Sequence, residues 1–389
     1  MRRTSGKDAG ILTVLFTADV HIANHSRLGG PLSEGVNRRC RQILETLEAL
    51  KRQALEHDAR IAVVGDVFDS PTPPPWIVEA TRRALGLRDG TLTGPDRGPQ
   101  CDLMVGNHDQ ASDAPNHHAL ASLGGIDGYA RFGRAPVHMF AFRPQYTGPE
   151  YVRRCVGGMA RSGNDEGIVC FHLGVSDETT PPWLVDAADS IPLDALARIV
   201  DPTGIDAVVV GNWHDHRHWK TPRGVDVWQT GALVPTGWAN LSTFDTLDAQ
   251  RDPYGQVVVW DDRKWWTLPL SGPRFVKSES PTDAEACIDR ARSRSCPLYI
   301  RGVGDLDTVE AIGAHVRDLP GYGDEFWFEG VPAATVRNDP RTVEVAVSTE
   351  QTPDVERLVS DYVDAMKLPS EESGKVKTMV AKAISAVKG

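Results

Sequence analysis

The chain has no apolar stretch of the roughly 18 residues that a membrane helix needs, so no membrane span is expected. It has six cysteines, Cys40, Cys101, Cys155, Cys170, Cys287 and Cys296, and no CxxC pair among them. Scattered thiols of that kind read as reduced core residues of a cytoplasmic protein, not as a disulfide frame or a zinc knuckle. Positive charge is not in excess: 42 basic residues face 53 acidic ones, a net charge of −11. A protein that grips nucleic acid by a broad basic face is therefore not expected. A phosphodiester substrate stays open, because bound divalent cations would reverse the local field. There is no internal repeat, and the one low-complexity patch is PTPPP at 71–75. The opening MRRTSGKDAGILTVLFTADVH pairs a basic start with an apolar run, but Asp19 interrupts that run and no small-residue cleavage site follows. A cleaved leader is not expected.

What the chain does have is five short apolar runs that each end in residues able to bind divalent metals. ILTVLFTAD closes on Asp19 and leads to His21; RIAVVGD closes on Asp66; CDLMVGN closes on Asn107 and is followed by His108. GIVCFH closes on His172, and DAVVVGN leads into His214 and His216. A buried parallel strand reads as a continuous Val/Ile/Leu run. Ligands of open α/β sheets gather beyond the carboxyl ends of such strands. The pattern thus places Asp, His and Asn groups on one rim, a mixed N/O set suited to two hard or borderline cations such as Mn²⁺, Fe²⁺ or Zn²⁺. Each motif alone is weak, since Gly-Asp suits many turns and a lone His is usually structural. Five in order are hard to reach by accident.

Around these runs, Leu32 to Glu56 reads as a helix, with Val36, Cys40, Ile43, Leu44, Leu47 and Leu50 on one stripe. A second helix is expected near 76–87, a loop over 86–100, and a short helix over 113–121. Strands are expected near 137–142, 167–172 and 206–211. Segments 225–233, 255–262 and 263–270 read as strands without helices, a second and more antiparallel sheet. Pro273 opens a small α+β unit, with strands near 274–277, 297–302, 325–329 and 342–347 and helices over 284–294 and 307–318. Residues 351–389 read as two amphipathic helices parted by Pro369. The domain reading is 1–270, 271–350 and 351–389.

Taken together, DVH at 19–21, GDVFD at 65–69, GNHD at 106–109, His172 and GNWHDH at 211–216 resemble the calcineurin-like metallophosphoesterase superfamily. The resemblance implies an α/β fold, a four-layer sandwich of two mixed sheets flanked by helices, with two metals about 3.5–4 Å apart. It implies Asp19 and His21 on the first metal, Asp66 bridging both, and Asn107 and His172 on the second, with one His of a terminal pair on each. A bridging water would lose its proton and attack phosphorus in line. His108 is the candidate for transition-state stabilisation and leaving-group protonation. Asp69 or Asp109 could orient a histidine from behind, or merely cap a turn. His25, His117, His118 and His138 read as surface residues rather than ligands.

The superfamily's last motif is usually Gly-His-x-His, and here it is Gly211-Asn212-Trp213-His214-Asp215-His216. Either His214 and His216 form the pair in a longer turn, or Asn212 stands in the first His position and His214 in the second. The first keeps both imidazoles and is preferred; the second keeps the spacing after the strand and stays open.

GDVFDS with its helical lead-in, FHLGV at 171–175 and the small α+β unit look like the SbcD-type nucleases of double-strand-break repair, the meiotic-recombination-eleven group, in bacterial or phage form. That implies a Mn²⁺-dependent DNA exo/endonuclease subunit, a DNA-capping role for the small unit, a homodimer, and an SbcC-type, SMC-like ATPase docked on the C-terminal helices. The alternatives are a small-molecule phosphatase or cyclic phosphodiesterase, and a non-catalytic scaffold.

Overall fold

The five apolar runs form strands, and these strands are shared between two sheets. The computed structural model describes residues 13–332 apart from 88–98, 113, 115–116, 133–135, 186 and 239–253. In the first sheet the spatial order is Lys264–Pro269, Gln256–Asp261, Thr13–Thr17, Arg60–Val63, Cys101–Leu103. Thr13–Thr17 runs parallel to Arg60–Val63, and that strand parallel to Cys101–Leu103, while Gln256–Asp261 closes on Thr13–Thr17 antiparallel. The second sheet runs Arg217–Lys220, Asp226–Gln229, Gly204–Gly211, Glu166–His172, Val137–Phe140, Tyr129–Phe132. Its four central strands are parallel and both edge strands antiparallel.

Side-chain alternation builds the layers. From Glu166–His172, Ile168 and Cys170 join the core shared with the first sheet, while Val169 and Phe171 face the other way. Ala207 and Val209 against Val208 and Val210 repeat the division on the next strand. The outward set packs on helices Gly148–Arg161, through Val152, Val156 and Met159, and Leu193–Val200, through Leu196 and Val200. Helices Arg38–Glu56 and Pro75–Leu85 cover the first sheet through Ile43, Leu47, Leu50, Ile77 and Ala84. Ile43, Leu47 and Leu50 are almost wholly buried, and each such side chain contributes about 1.5–3 kcal/mol of transfer free energy. The result is the expected four-layer sandwich of two mixed sheets flanked by helices. Because both faces of the parallel strands are covered, the sequence shows continuous apolar runs instead of alternation.

Several expectations are corrected. The first helix begins at Arg38, not Leu32: Asn37 is its cap and accepts from Cys40 N at 2.9 Å. Glu34 and Gly35 ahead of it have positive φ and cannot continue a helix. Of the short helix expected over 113–121, residues 113, 115 and 116 lie outside the described residues, 114 and 117–120 are not helical, and a 3₁₀ turn stands at Ala121–Leu123. The strands after 225 do not form a sheet of their own; Asp226–Gln229 extends the second sheet and the Gln256–Pro269 hairpin extends the first. Helices Gly148–Arg161 and Leu193–Val200 are additional to those expected.

The small unit is a β-α-β-α-β arrangement: Arg274–Ser278, Pro281–Ser293, Leu298–Gly304, Leu306–Asp318, Phe326–Pro332, with all three strands parallel. One face of its sheet packs on its own helices through Val276, Ile300, Ile312, Val316 and Phe328. The other face is aromatic and meets the sandwich. Phe275 stacks on Tyr299 at 4.7 Å and Tyr299 on Trp327 at 5.0 Å. Arg38 lies 4.1 Å over Trp327, Arg39 5.0 Å over Phe275, and Tyr299 Oη donates to Gln42 Oε1 at 2.8 Å. Helix Arg38–Glu56 is thus the seat of the small unit. The strand expected near 342–347 and the helices expected over 351–389 lie outside the described residues. Among the described residues no helix is long and apolar enough to cross a membrane.

Candidate metal centre

Five of the parallel strands deliver a polar residue at the carboxyl end. Asp19 and His21 follow Thr13–Thr17, Asp66 follows Arg60–Val63, Asn107 and His108 follow Cys101–Leu103, His172 ends Glu166–His172, and His214 follows Gly204–Gly211. The turns are tight and strained. Asp19, His21, Asp66 and Asn212 have φ of 51°, 48°, 53° and 89°, a region that costs a non-glycine residue on the order of 1–3 kcal/mol. Gly65, at φ 94°, admits no side chain, because a Cβ there would come 2.1 Å from His172 Nδ1.

These groups meet. Three sets of donor atoms each lie within 4.8 Å of one another: Asp19, His21 and His214; His21, Asp66 and His108; Asp19, Asp66 and His172. His21 Nε2 is 3.2 Å from His214 Nε2, 3.7 Å from Asp66 Oδ2 and 4.0 Å from Asp19 Oδ1. His172 Nε2 is 3.3 Å from Asp66 Oδ2 and 2.8 Å from the Asn107 amide. With its NH₂ turned toward the carboxylate, Asn107 lies 3.0 and 3.2 Å from the two Asp66 oxygens. Asp66 is therefore the central carboxylate. Asp19, His21, Asp66 and His172 form a buried floor, while Asn107, His108 and His214 rim an open side.

The surrounding atoms aim the imidazoles. His21 Nδ1 lies 3.1 Å from Asp69 Oδ1, and His172 Nδ1 lies 2.8 Å from the Val64 carbonyl. With Nδ1–H donating outward in both rings, the Nε2 lone pairs point inward. A cation seated beside His21 Nε2 and His214 Nε2 would take a lone pair from each. Burial and carboxylate charge agree with that reading. Burial pushes Asp19 up, only partly offset by His172 and His214. Burial opposes ionisation of Asp66 too, but the neighbouring His172 carries it down to about 2. Burial disfavours the charged His172, yet Asp66 beside it raises it to about 10. Carboxylates that hold a proton on an imidazole so firmly would hold a divalent cation in its place. The donor set, two carboxylates, imidazoles and an amide, fits hard or borderline cations.

Of the two candidates for orienting a histidine, Asp69 does so and Asp109 does not. Asp109 is fully buried and accepts from the backbone N–H of Val67, Phe68 and Gly106 at 3.2, 2.9 and 3.1 Å. It ties the Asp66 turn to the Asn107 turn. Burial and the charge of Asp66 push it up to about 6 in spite of those donors.

The last motif adopts the arrangement that keeps the spacing after the strand. His214 reaches the cluster, while Asn212 N–H donates to both oxygens of Asp19 at 2.9 and 3.0 Å. His216 belongs to none of the three groups: its Nδ1 lies 3.1 Å from Thr230 O and its ring tilts on Trp228 at 5.8 Å. At this turn Gly231 lies directly against the 214–216 backbone, where a Cβ would come 2.7 Å from His216 N. Three further histidines differ from expectation. His138 and His118 are buried, not on the surface, and His25 is part-buried with Nε2 3.0 Å from the His21 carbonyl. Two residues are given no role by the sequence reading. Asp189 accepts from Asn212 Nδ2 at 3.0 Å, and Trp213 lies over Gly174. No apolar run ends on Asp189, so sequence pattern carries no signal for it.

No protein-family model matches the chain and no curated protein matches it. Among solved structures it is similar to a dimetal phosphatase from Danio rerio, at 11% identity and a TM-score of 0.42, over 67% of this chain and 99% of that one. It is also similar to a protein of Thermus thermophilus, at 11% identity and a TM-score of 0.38, over the same shares of 67% and 99%. At that level the likeness carries no argument about chemistry, which is read from the side chains themselves.

Proposed function

We propose that the chain is a two-metal phosphoesterase whose substrate is the phosphodiester of DNA. The observation that carries the reading is the convergence of Asp19, His21, Asp66, His172 and His214 within a few ångströms, with every aspartate and histidine delivered by a different turn or strand end except the Asp19–His21 pair. Asp19, His21 and His214 would hold one cation and Asn107 and His172 the other, with Asp66 between them. When bound, a pair of divalent ions would polarise the phosphoryl group and supply a nucleophile at neutral pH; the mixed N/O set suits Mn²⁺.

The protein's own residues do the rest. Asp69 keeps the His21 ring aimed inward, and the Val64 carbonyl does so for His172. His108 stands exposed at the rim, edge-on to His21 at 4.8 Å, with Nδ1 3.3 Å from the Asp69 carbonyl. With Nδ1–H donating there, Nε2 is left for substrate, where it can give a proton to the leaving oxygen.

The DNA assignment is supported by the small unit, which seats on the Arg38–Glu56 helix and, through Arg27 and Glu329, on the loop that follows His21. On this reading the small unit is the platform on which a long polymer would lie. DNA and an SbcC-type ATPase are the partners this reading proposes, the ATPase docking on 351–389, with a homodimer as the working form in the cytoplasm. The test is turnover of linear double-stranded DNA, of bis(p-nitrophenyl) phosphate and of p-nitrophenyl phosphate by the Mn²⁺-loaded full chain. DNA cleavage that falls about 10²–10⁴-fold in His108→Ala, with Mn²⁺ affinity retained, is expected. Turnover of the monoester alone, with the ATPase supplied, would replace the nuclease reading by a phosphatase.

A further inference from the structure

Resting on the two-cation reading, we propose that the centre holds its two ions unequally, and that the Asn212–Asp189 pair sets the affinity of the weaker one. The two halves of the cluster are built from different donors. Around His21 stand two imidazoles, His21 and His214, with Asp19 and Asp66. Around His172 stand one imidazole, the Asn107 amide and Asp66, with Asp19 shared between the two halves. Asn107 turns its NH₂ toward Asp66 and would have to rotate to bring its amide oxygen to an ion, and an amide oxygen is a poorer donor to a borderline cation than a neutral imidazole.

Asn212 occupies the place from which a second imidazole could complete the His172 half. It follows Gly211, which pairs with His172 across the sheet. Its backbone is pinned by the Asp19 carboxylate. Its NH₂ is engaged by Asp189 Oδ2 at 3.0 Å and lies 3.5 Å from the Asp189 carbonyl. The amide oxygen is then the only side-chain donor atom Asn212 can offer. A histidine in its place could give Nδ1–H to Asp189 and keep Nε2 for the ion, the carboxylate–histidine–metal arrangement that strengthens a site. The weaker half is accordingly oxygen-rich, and it favours Mn²⁺ or Mg²⁺ over Zn²⁺.

The experiment is titration of the metal-stripped full chain with Mn²⁺, followed by electron paramagnetic resonance. Free ion is counted from its own signal, and an ion pair from its spin-coupled spectrum. Two binding phases at least about tenfold apart are expected, with the coupled spectrum rising only in the second. Asn212→His should tighten the second phase by about tenfold or more and leave the first in place. Asn107→Ala should remove the second phase and the coupled signal alone, which keeps the proposal testable if Asn212→His does not fold. A single phase of two equivalent ions, an unmoved second phase in Asn212→His, or loss of both phases together in Asn107→Ala would overturn the inequality while leaving the two-metal reading intact. No bound Mn²⁺ at all would overturn both.

Discussion

Asp109→Ala is the most informative single substitution outside the donor cluster. Asp109 accepts three backbone N–H groups, from Val67, Phe68 and Gly106, and is completely buried. Alanine leaves those donors without an acceptor, at ~1–3 kcal/mol each and on the order of 3–9 kcal/mol together. One term runs the other way. Burial and the nearby Asp66 charge hold Asp109 at about 6 instead of 3.8, a strain of ~3 kcal/mol on its ionised form that alanine no longer bears. The net loss is therefore ~0–6 kcal/mol, and its midpoint of ~3 kcal/mol lowers the melting midpoint of a chain this long by roughly 4 °C. Asp109→Asn keeps one acceptor oxygen but turns an NH₂ toward N–H donors, and should fall between the two. Because the same three bonds tie the Asp66 turn to the Asn107 turn, calorimetry should also show Mn²⁺ affinity falling in the alanine variant. Thermal denaturation of the metal-free proteins isolates the first effect from the second. An alanine variant that melts with the parent and binds Mn²⁺ as tightly would refute the reasoning.

Asp69→Ala removes the acceptor of His21 Nδ1; Mn²⁺ affinity should drop about 10–100-fold by calorimetry, with stability changed by less than ~1 kcal/mol because Asp69 is partly exposed. Gly174→Ala would place a Cβ 2.2–2.5 Å from the Trp213 indole. The ring must move and take the adjoining His214 with it, so a loss of ~1–3 kcal/mol in denaturant melts should accompany weaker Mn²⁺ binding. Unchanged binding would uncouple Trp213 from the site. Asp177 gives an acid-stability test away from the metal residues. Burial alone would raise it, but bonds from Thr179, Trp219 and Thr180 draw it down to about 2 from 3.8. A depressed carboxylate stabilises the fold above its ordinary value and loses that contribution as pH falls through its folded one. The stability advantage of the parent over Asp177→Asn should thus be full at neutral pH and shrink between 3.8 and about 2; an advantage constant across that window would contradict the assignment.

Much of the site is readable from the chain because a buried parallel strand leaves a continuous apolar run with its functional residue at the end. Asp19, Asp66, Asn107 and His172 all lie at such ends, and the structure brings them together. His214 is harder to place. Strand spacing points to it and imidazole count points to His216 as well; in the fold His214 meets His21 while His216 turns to the Thr230 carbonyl. Asp189 and Trp213 carry no pattern at all, since their contacts cross from one loop to another. The fold divides in the same way. Helix Arg38–Glu56 has a clear stripe, though Asn37 and the positive φ of Gly35 move its start. Helix Gly148–Arg161 is diluted by Gly157 and Gly158, whose low propensity masks the short stripe of Val152, Val156 and Met159.

The order of residues along the chain dictates local matters: which segments are apolar enough to be covered on both faces, and which polar residues stand where those segments stop. Side-chain periodicity and turn chemistry are properties of neighbours in the chain, and they survive without knowledge of the fold. Long-range packing settles the rest. It selects which sheet the Gln256–Pro269 hairpin joins and which histidine of the last motif turns inward, and it seats the aromatic face of the small unit on Arg38, Arg39 and Gln42. Those outcomes depend on pairing between residues far apart in the chain, where many partners have the right chemistry and only one arrangement fills the space.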